Sequence, residues 1–335
     1  MNGQRNYSGR QILTFFLKLL FVGGLLYFLV QKGFISLNDT RRAFTQWDKL
    51  LPAVIAMGAN AFLGALRWQW LLKAQGIELK WGRTLQLTFV GNFFNIALPG
   101  AVSGDFVKAF YVGKETQGRK SRAFGTILFD RVAGLSALAI VSAGALSIGF
   151  NDFKGTILLH GLRFVISSAA VMVILFYSYL FLVREHQDPL LYLFRSFEKR
   201  LPKAGSLTRI YESIRHYHNH RWVVIKVLVL SIFIHIVVGW SCMNFAQALG
   251  DQNIPSLATY VVVPLGLLVT AIPIMPAGVG TGHAAFLYLF QLMGSQRGAD
   301  VFTLLALFNL CVGAVGGLVY LRFRSREPEA IPSPS

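Results

Sequence analysis

Six apolar runs, each about the length of a membrane-crossing helix, constrain this chain more than any other feature. They cover residues 12–30, 50–66, 123–147, 158–183, 223–249 and 301–321. A helix rising 1.5 Å per residue needs roughly 20 residues to cross ~30 Å of hydrocarbon. Backbone groups in lipid find no water, so such runs satisfy their N–H and C=O groups internally, as helices. The rest of the chain agrees. Of its 335 residues 54% are hydrophobic and only 14% charged, against about 25% charged in soluble domains. The expected fold is an all-α polytopic membrane protein with about six full spans. The longest polar interval, 184–222, is too short for a catalytic domain of usual size. The first run follows Arg5 and Arg10 without a small-residue cleavage site, so a retained helix is expected.

Two further apolar segments, 85–112 and 257–293, are long enough to reach membrane depth but are interrupted. The first reads Gly91-Asn92-Phe93-Phe94-Asn95-Ile96-Ala97-Leu98-Pro99-Gly100-Ala101-Val102-Ser103-Gly104-Asp105. Proline removes a backbone donor and breaks a helix. Irregular backbone at membrane depth is tolerated only where protein or a watery cavity satisfies it. The segment is therefore read as two half-helices meeting at a break. The second repeats the theme as Pro273-Ile274-Met275-Pro276-Ala277-Gly278-Val279-Gly280-Thr281-Gly282-His283. Paired interruptions in corresponding places of two halves are the best sequence pointer to a transporter site.

Net charge is +17. In a soluble chain that would suggest nucleic acid; here the bases lie between spans, where the positive-inside rule accounts for them. No nucleic-acid partner is expected, and an attraction to anionic lipid headgroups is. Arg67, Lys73, Lys80 and Arg83 precede the first broken segment and Lys114, Arg119, Lys120 and Arg122 follow it, so a re-entrant hairpin keeps both flanks in the cytoplasm. The assignment leaves both termini cytoplasmic and one exception, the basic loop 31–49. Each half then reads span, span, hairpin, span, which is an inverted-topology repeat. The divisions are a first membrane half, 1–148, a second, 149–321, and a basic, Pro-rich tail, 322–335, expected to be disordered. Within 184–222, Leu190, Leu191, Leu193, Phe194, Phe197 and Leu201 interleave with Arg195, Lys199 and Arg200, the spacing of an amphipathic helix on the inner surface.

The candidate site residues carry alternatives. Asp105 either complements the positive end of the half-helix that Ser103 caps or pairs with Lys108 a turn on; alternatively the helix end and Lys108 hold a phosphate, and Asp105 orients Lys108 or binds an amine on the headgroup. Asn92 and Asn95 lie three apart on one helical face and either bond the broken backbone or line the cavity. Asp130 and Arg131 are adjacent, so they cannot face each other on a helix, and each needs another partner. Arg131 forms a structural ion pair or binds phosphate with its fork. Gly280 and His283 open the second half-helix; His283 is either a neutral histidine donating one hydrogen bond to the hairpin backbone or a proton-linked switch. His216, His218 and His220 alternate by two and do not share a face. Cys242 and Cys311 sit in apolar segments as small hydrophobes. No metal, cofactor or nucleotide motif is found.

These residues carry a resemblance. Gly91-Asn-Phe-Phe-Asn95 leading into Leu98-Pro-Gly100 and Gly104-Asp105, then Asp130-Arg131, then Pro276-Ala-Gly278-Val-Gly280, resembles the lysylphosphatidylglycerol synthase transmembrane-region family. The resemblance covers roughly residues 50–321. It implies a flippase-like protein, the membrane half of bifunctional enzymes that make and flip aminoacyl-phosphatidylglycerol. The fused synthase domain has no counterpart in this sequence, so an aminoacyl-transferase is not expected. Where the family often has Gly-Gly-Asp this chain has Ser103-Gly104-Asp105, and where it often has an acid this chain has His283. The expected function is a lipid translocase in the inner or plasma membrane, its partners anionic or phosphate-bearing lipids and a lipid-modifying enzyme. The alternatives are an embedded enzyme acting on a lipid-linked substrate with Asp105 as base, or a scaffold for a glycosyltransferase or synthase.

Overall fold

The structure is a computed structural model that describes residues 27, 31, 37–97, 103–116, 120–149, 157–184, 187–200, 205–252, 254–271, 278 and 280–324. Among these, every regular element is helical. In order they are α1 (Leu37–Ala43), α2 (Trp47–Ala74), α3 (Trp81–Ala97), α4 (Ser103–Glu115), α5 (Lys120–Ile148) and α6 (Ile157–Leu182). Then follow α7 (Pro189–Arg200), α8 (Gly205–Arg215), a 3₁₀ turn (His216–His220), α9 (Arg221–Ala248), α10 (Ser256–Thr270), α11 (Thr281–Gln291) and α12 (Gly298–Arg324). Helices α2, α5, α6, α9 and α12 are long and apolar enough to cross a membrane. They coincide with five of the six expected runs; the remaining run, 12–30, and the tail 325–335 lie outside the described helices. The chain is an all-α polytopic membrane protein.

One boundary differs from expectation. Arg67 reads as the first base of a loop after residue 66, yet α2 continues to Ala74. Trp68, Leu71 and Leu72 beyond it are buried, and an acidic partner on another span offsets the Arg67 charge, so the apolar pattern carries the helix through the arginine.

The bundle is built on α2 and α9. The Ser241 hydroxyl lies 3.4 Å from the Ala53 carbonyl, Asn60 Nδ2 donates to the Ile234 carbonyl at 3.4 Å, and Arg67 Nη1 donates to Ser231 Oγ at 3.0 Å. Numbers rise on one helix as they fall on the other, so the pair is antiparallel. Around it the packing is reciprocal. Helix α3 lies on α12, where Gly313, Gly316 and Gly317 admit the Asn92 and Phe89 backbone and the Phe93 ring. Helix α10 lies on α5, with Ala258, Val261 and Leu265 against Ala145 and Leu146. Helix α6 is the most peripheral span: Phe164, Met172, Ile174 and Leu182 are more than half exposed, as suits an apolar helix whose neighbour is lipid.

Both interrupted segments form helical hairpins. In the first, the Gly104 N–H donates to Asn95 Oδ1 at 2.8 Å, and a side chain at Gly91 would meet the Lys108 stem. Contacts thus run 95 to 104 and 91 to 108, an antiparallel pair closing through residues 98–102, which lie outside the described residues. Arg83, at the start of α3, pairs with Glu115, at the end of α4, so the outer ends meet. At about 25 and 20 Å, these helices are shorter than the hydrocarbon core. In the second, a Cβ at Gly266 would press on Phe286 and one at Gly278 on Thr270, so α10 and α11 are also antiparallel. The segments 272–277 and 279 lie outside the described residues.

Helices α7 and α8 are clipped to the end of α6 by a buried carboxylate. Asp188 accepts hydrogen bonds from the Tyr179 hydroxyl at 2.6 Å, from the Tyr211 hydroxyl at 2.9 Å and from the N–H groups of Leu190 and Leu191, both at 3.0 Å. Arg215 Nε lies 2.7 Å from Oδ2, the oxygen that Tyr211 also reaches at 2.9 Å. The same guanidinium donates to the carbonyls of Leu180 and Val183, closing the open end of α6. Burial alone would raise the Asp188 carboxyl. The hydrogen bonds from Tyr179, Leu191 and Tyr211 and the Arg215 charge outweigh it and hold the group below the ordinary aspartate range.

Candidate functional site

Asp105 lies in the first turn of α4, where a carboxylate complements the helix's positive end. It is 2% exposed, and two cations reach it. Lys108 Nζ lies 2.9 Å from Oδ1, and Arg131 Nε donates to Oδ2 at 2.6 Å. The Lys108 stem crosses Gly91, whose missing side chain leaves room for it. Its ammonium then sits 5.0 Å from the centroid of the Trp68 ring, a cation–π distance. Trp68 is fixed in turn by its Nε1, which donates to Thr126 Oγ1 at 3.1 Å. Four helices, α2, α3, α4 and α5, therefore place one carboxylate and two cations at the broken hairpin. Arg131 differs from the other two charges in being 44% exposed.

A second ion pair lies beside it. Asp130 takes Arg67 in a two-pronged contact, Nε to Oδ1 at 2.7 Å and Nη2 to Oδ2 at 2.9 Å. Both side chains are nearly buried, at 13% and 14% exposure. The adjacent acid and base on α5 thus bind different neighbours, Asp130 to α2 and Arg131 to α4, as the helical geometry requires. Ten residues separate Asp130 from the start of α5, or ~15 Å, so the pair lies well inside the span.

The sequence-derived candidates divide into two groups. Asn95, Ser103, Asp105, Lys108, Asp130 and Arg131 cluster at the first hairpin and its supports. Asn95 bonds the backbone of the opposing helix, Ser103 is the first residue of α4, and half-buried Asn92 packs its carbonyl oxygen toward Gly313. Gly280 and His283 belong to the second hairpin. Gly280 has φ +90° and Gly278 φ +69°, left-handed values that glycine adopts without a Cβ penalty. His283 is 1% exposed. Its Nδ1 accepts from the Gly280 N–H at 3.2 Å, and Nε2 lies 3.2 Å from Thr303 Oγ1, whose own proton goes to the Ala299 carbonyl. These bonds select the tautomer protonated on Nε2. The ring also stands edge-on to Phe302, 4.7 Å between centroids. Its bond to the hairpin backbone is accepted rather than donated, the reverse of what its sequence position suggests. No local partner in the sequence marks Arg67 and Trp68 as site residues, because Asp130 lies 63 residues from Arg67 and Thr126 lies 58 from Trp68. The available signal was an arginine inside a helical apolar pattern that resumes after it.

On the face of α4 away from Asp105, a hollow of about 430 Å³ is lined by Phe94, Phe106, Val107, Phe110, Tyr111 and Tyr320. Among the described residues, no group of three or more His, Cys, Asp or Glu side chains could hold a metal ion.

Comparisons with known proteins identify the family. The chain is 23% identical over 268 residues to the UPF0104 membrane protein PH1989 of Pyrococcus horikoshii, covering 75% of this chain and 79% of that protein. No solved structure matches. The family described as "Lysylphosphatidylglycerol synthase TM region" matches residues 15–319. With that match running from residue 15 into the last described span, the chain belongs to the lysylphosphatidylglycerol synthase transmembrane-region family.

Proposed function

We propose that the protein is a lipid translocase that moves a phosphate-bearing or aminoacylated lipid between leaflets. One observation carries the reading: a buried carboxylate holding two cations at the break of a helical hairpin, inside an apolar bundle. Charges at membrane depth are costly, about 2.5–3.5 kcal/mol each on insertion scales, and mark substrate pathways more often than they stabilise a bundle. Asp105 orients Lys108 and Arg131, α4 turns its positive end toward the break, and the half-exposed Arg131 is accessible to an anion. Together these suit a phosphate. The acyl tails remain in the bilayer, beside the aromatic hollow on the other face of α4.

The hairpins enter and leave on the same side of the membrane in this reading, one from each side, and the two halves form an inverted repeat. Its supports are the antiparallel α2–α9 pair and the exchange by which each half's hairpin packs on the other half's last span. Gly280 and His283 hold the second hairpin. The location is the inner or plasma membrane with both termini cytoplasmic, and a separate enzyme supplies the modified lipid. The rival reading, with Asp105 as a catalytic base, is less favoured because both carboxylate oxygens are taken by cations.

The test is leaflet transfer of fluorescent phosphatidylglycerol in proteoliposomes, read by quenching from outside. Losing one charged contact to a desolvated phosphate costs on the order of 1.5–3 kcal/mol, or roughly tenfold or more. Arg131→Gln and Lys108→Gln should each slow transfer by that factor, with Arg131→Lys intermediate because the fork is lost. Monodisperse, thermally stable variants that transfer at the wild-type rate would refute the proposal.

A further inference from the structure

Helix α7 presents three faces. Leu191 is buried against the protein, and Phe194 and Glu198 are half-buried beside it. Leu190, Leu193 and Phe197 recur at i, i+3 and i+7, within about 60° of one another at 100° per residue. They are 43%, 50% and 51% exposed, with no protein element over them among the described residues. Arg195 and Lys199 stand on the opposite side, both exposed. The position of α7 identifies what covers the apolar stripe. Its first turn is bound through Asp188 to Tyr179, three residues, or ~4.5 Å, before the end of a membrane-crossing helix. Leu182 at that end is 78% exposed, and Trp222, in the first turn of α9 beyond the Arg215 clip, is 76% exposed. A tryptophan at a span terminus is characteristic of the headgroup boundary. Residues 184–222 carry eight Lys and Arg against four Asp and Glu.

We infer that α7 docks on the anionic surface of the leaflet at the end of α6, with Leu190, Leu193 and Phe197 entering the acyl boundary and the exposed Arg195 and Lys199 engaging headgroup phosphates. The Asp188–Arg215 clip sets the depth. It fixes the helix at the end of the span, so the stripe enters at the level where a surface-lying amphipathic helix is stable. The long Lys199 side chain reaches headgroup oxygens from the outer side of the helix, and Arg195, which also pairs with Glu212 Oε1 at 2.9 Å and stays more than half exposed, adds a second contact there. This inference does not depend on whether the protein moves lipids.

The experiment uses the full chain in nanodiscs of phosphatidylcholine with and without phosphatidylglycerol. Exposed Cys311 is replaced by alanine, buried Cys242 is kept, and a nitroxide is placed at Leu193→Cys, Phe197→Cys or Lys199→Cys. Collision with oxygen should exceed collision with a water-soluble nickel complex at 193 and 197, and the order should invert at 199. Adding phosphatidylglycerol should deepen 193 and 197, and Arg195→Gln with Lys199→Gln should remove that deepening. Dominant nickel access at 193 and 197 in both lipids would overturn the docking. Depth unaffected by lipid charge would overturn the headgroup assignment. Amide exchange of α7 in the unlabelled wild-type chain gives a second readout: protection should rise with phosphatidylglycerol, and equal exchange in the two lipids counts against the inference even if a labelled variant misfolds.

Discussion

Gly104→Ala is the sharpest test of the first hairpin, because one methyl group lands in its tightest contact. A Cβ at 104 would overlap the Gly91 carbonyl oxygen and lie 2.6 Å from its carbon and 2.9 Å from Asn95 Oδ1. Carbon contacts become favourable only near 3.5 Å, so α3 must retreat from α4 by ~0.9 Å or more. Backbone, unlike the tip of a flexible side chain, cannot swing aside. Overpacking of this kind costs about 1–3 kcal/mol. The retreat also stretches the 2.8 Å bond from Gly104 to Asn95, a further ~0.5–1.5 kcal/mol. The expected loss is roughly 2–4 kcal/mol. Gly64→Ala is the matched control: nothing lies within 4 Å of its Cβ, and in mid-helix alanine is favoured by about 0.5–1 kcal/mol. Thermal unfolding in detergent should move down for position 104 and level or upward for position 64. Equal midpoints for the two variants would mean that α3 and α4 do not touch at Gly91, and the hairpin as described would be wrong.

Asp130→Asn leaves Arg67 charged and nearly buried without its two-pronged partner, so stability should fall by about 3–5 kcal/mol, measured by the same thermal assay; an unchanged midpoint would show that the pair does not form. The Asp188 carboxyl is held below its ordinary value, so its stabilisation is complete above about pH 3.9 and lost as pH falls through the folded-state value. Amide exchange of α7 and α8 should therefore be steady in its protection from about pH 8 to 5 and release only below about pH 4, whereas Asp188→Asn should release both helices throughout. Single cysteines at Lys80 and Lys120 should be labelled from the same side, and those at Asp251 and Arg297 from the other; opposite labelling of Lys80 and Lys120 would make the first hairpin a full crossing.

The spans were legible because hydrocarbon leaves the backbone few choices: length and apolarity alone placed α2, α5, α6, α9 and α12. The helix ends flanking the two interruptions were legible from Pro99 and Pro276 with their neighbouring glycines; both prolines lie outside the described residues, between α3 and α4 and between α10 and α11, whereas Pro264 stands inside α10. The Asp105–Lys108 pair was legible because i and i+3 share a face. For Asp130 and Arg131 the helical geometry required two different partners without naming either. Arg67 with Asp130, and Asp188 with Arg215, join residues far apart in sequence, and only packing brings them together. The tautomer of His283 was equally invisible, because Thr303, which receives the other ring nitrogen, belongs to the next helix. Proline and charge register locally, whereas the partner of a buried ion depends on how helices rotate against one another.

The neighbouring charges on α5 have a mechanical consequence. Asp130 and Arg131 point about 100° apart around the helix axis, one gripped by α2 and the other by α4. Rolling α5 toward one partner pulls it off the other, so the two pairs act together as a rotational lock. Sliding the helix by a turn would break both. Helices α2, α4 and α5 are therefore bound to travel as one solid piece. Any large rearrangement is steered to a seam that carries no such clasp among the described residues, and α3 against α12 is one. There, Gly313, Gly316 and Gly317 offer a smooth track to phenylalanine rings and backbone.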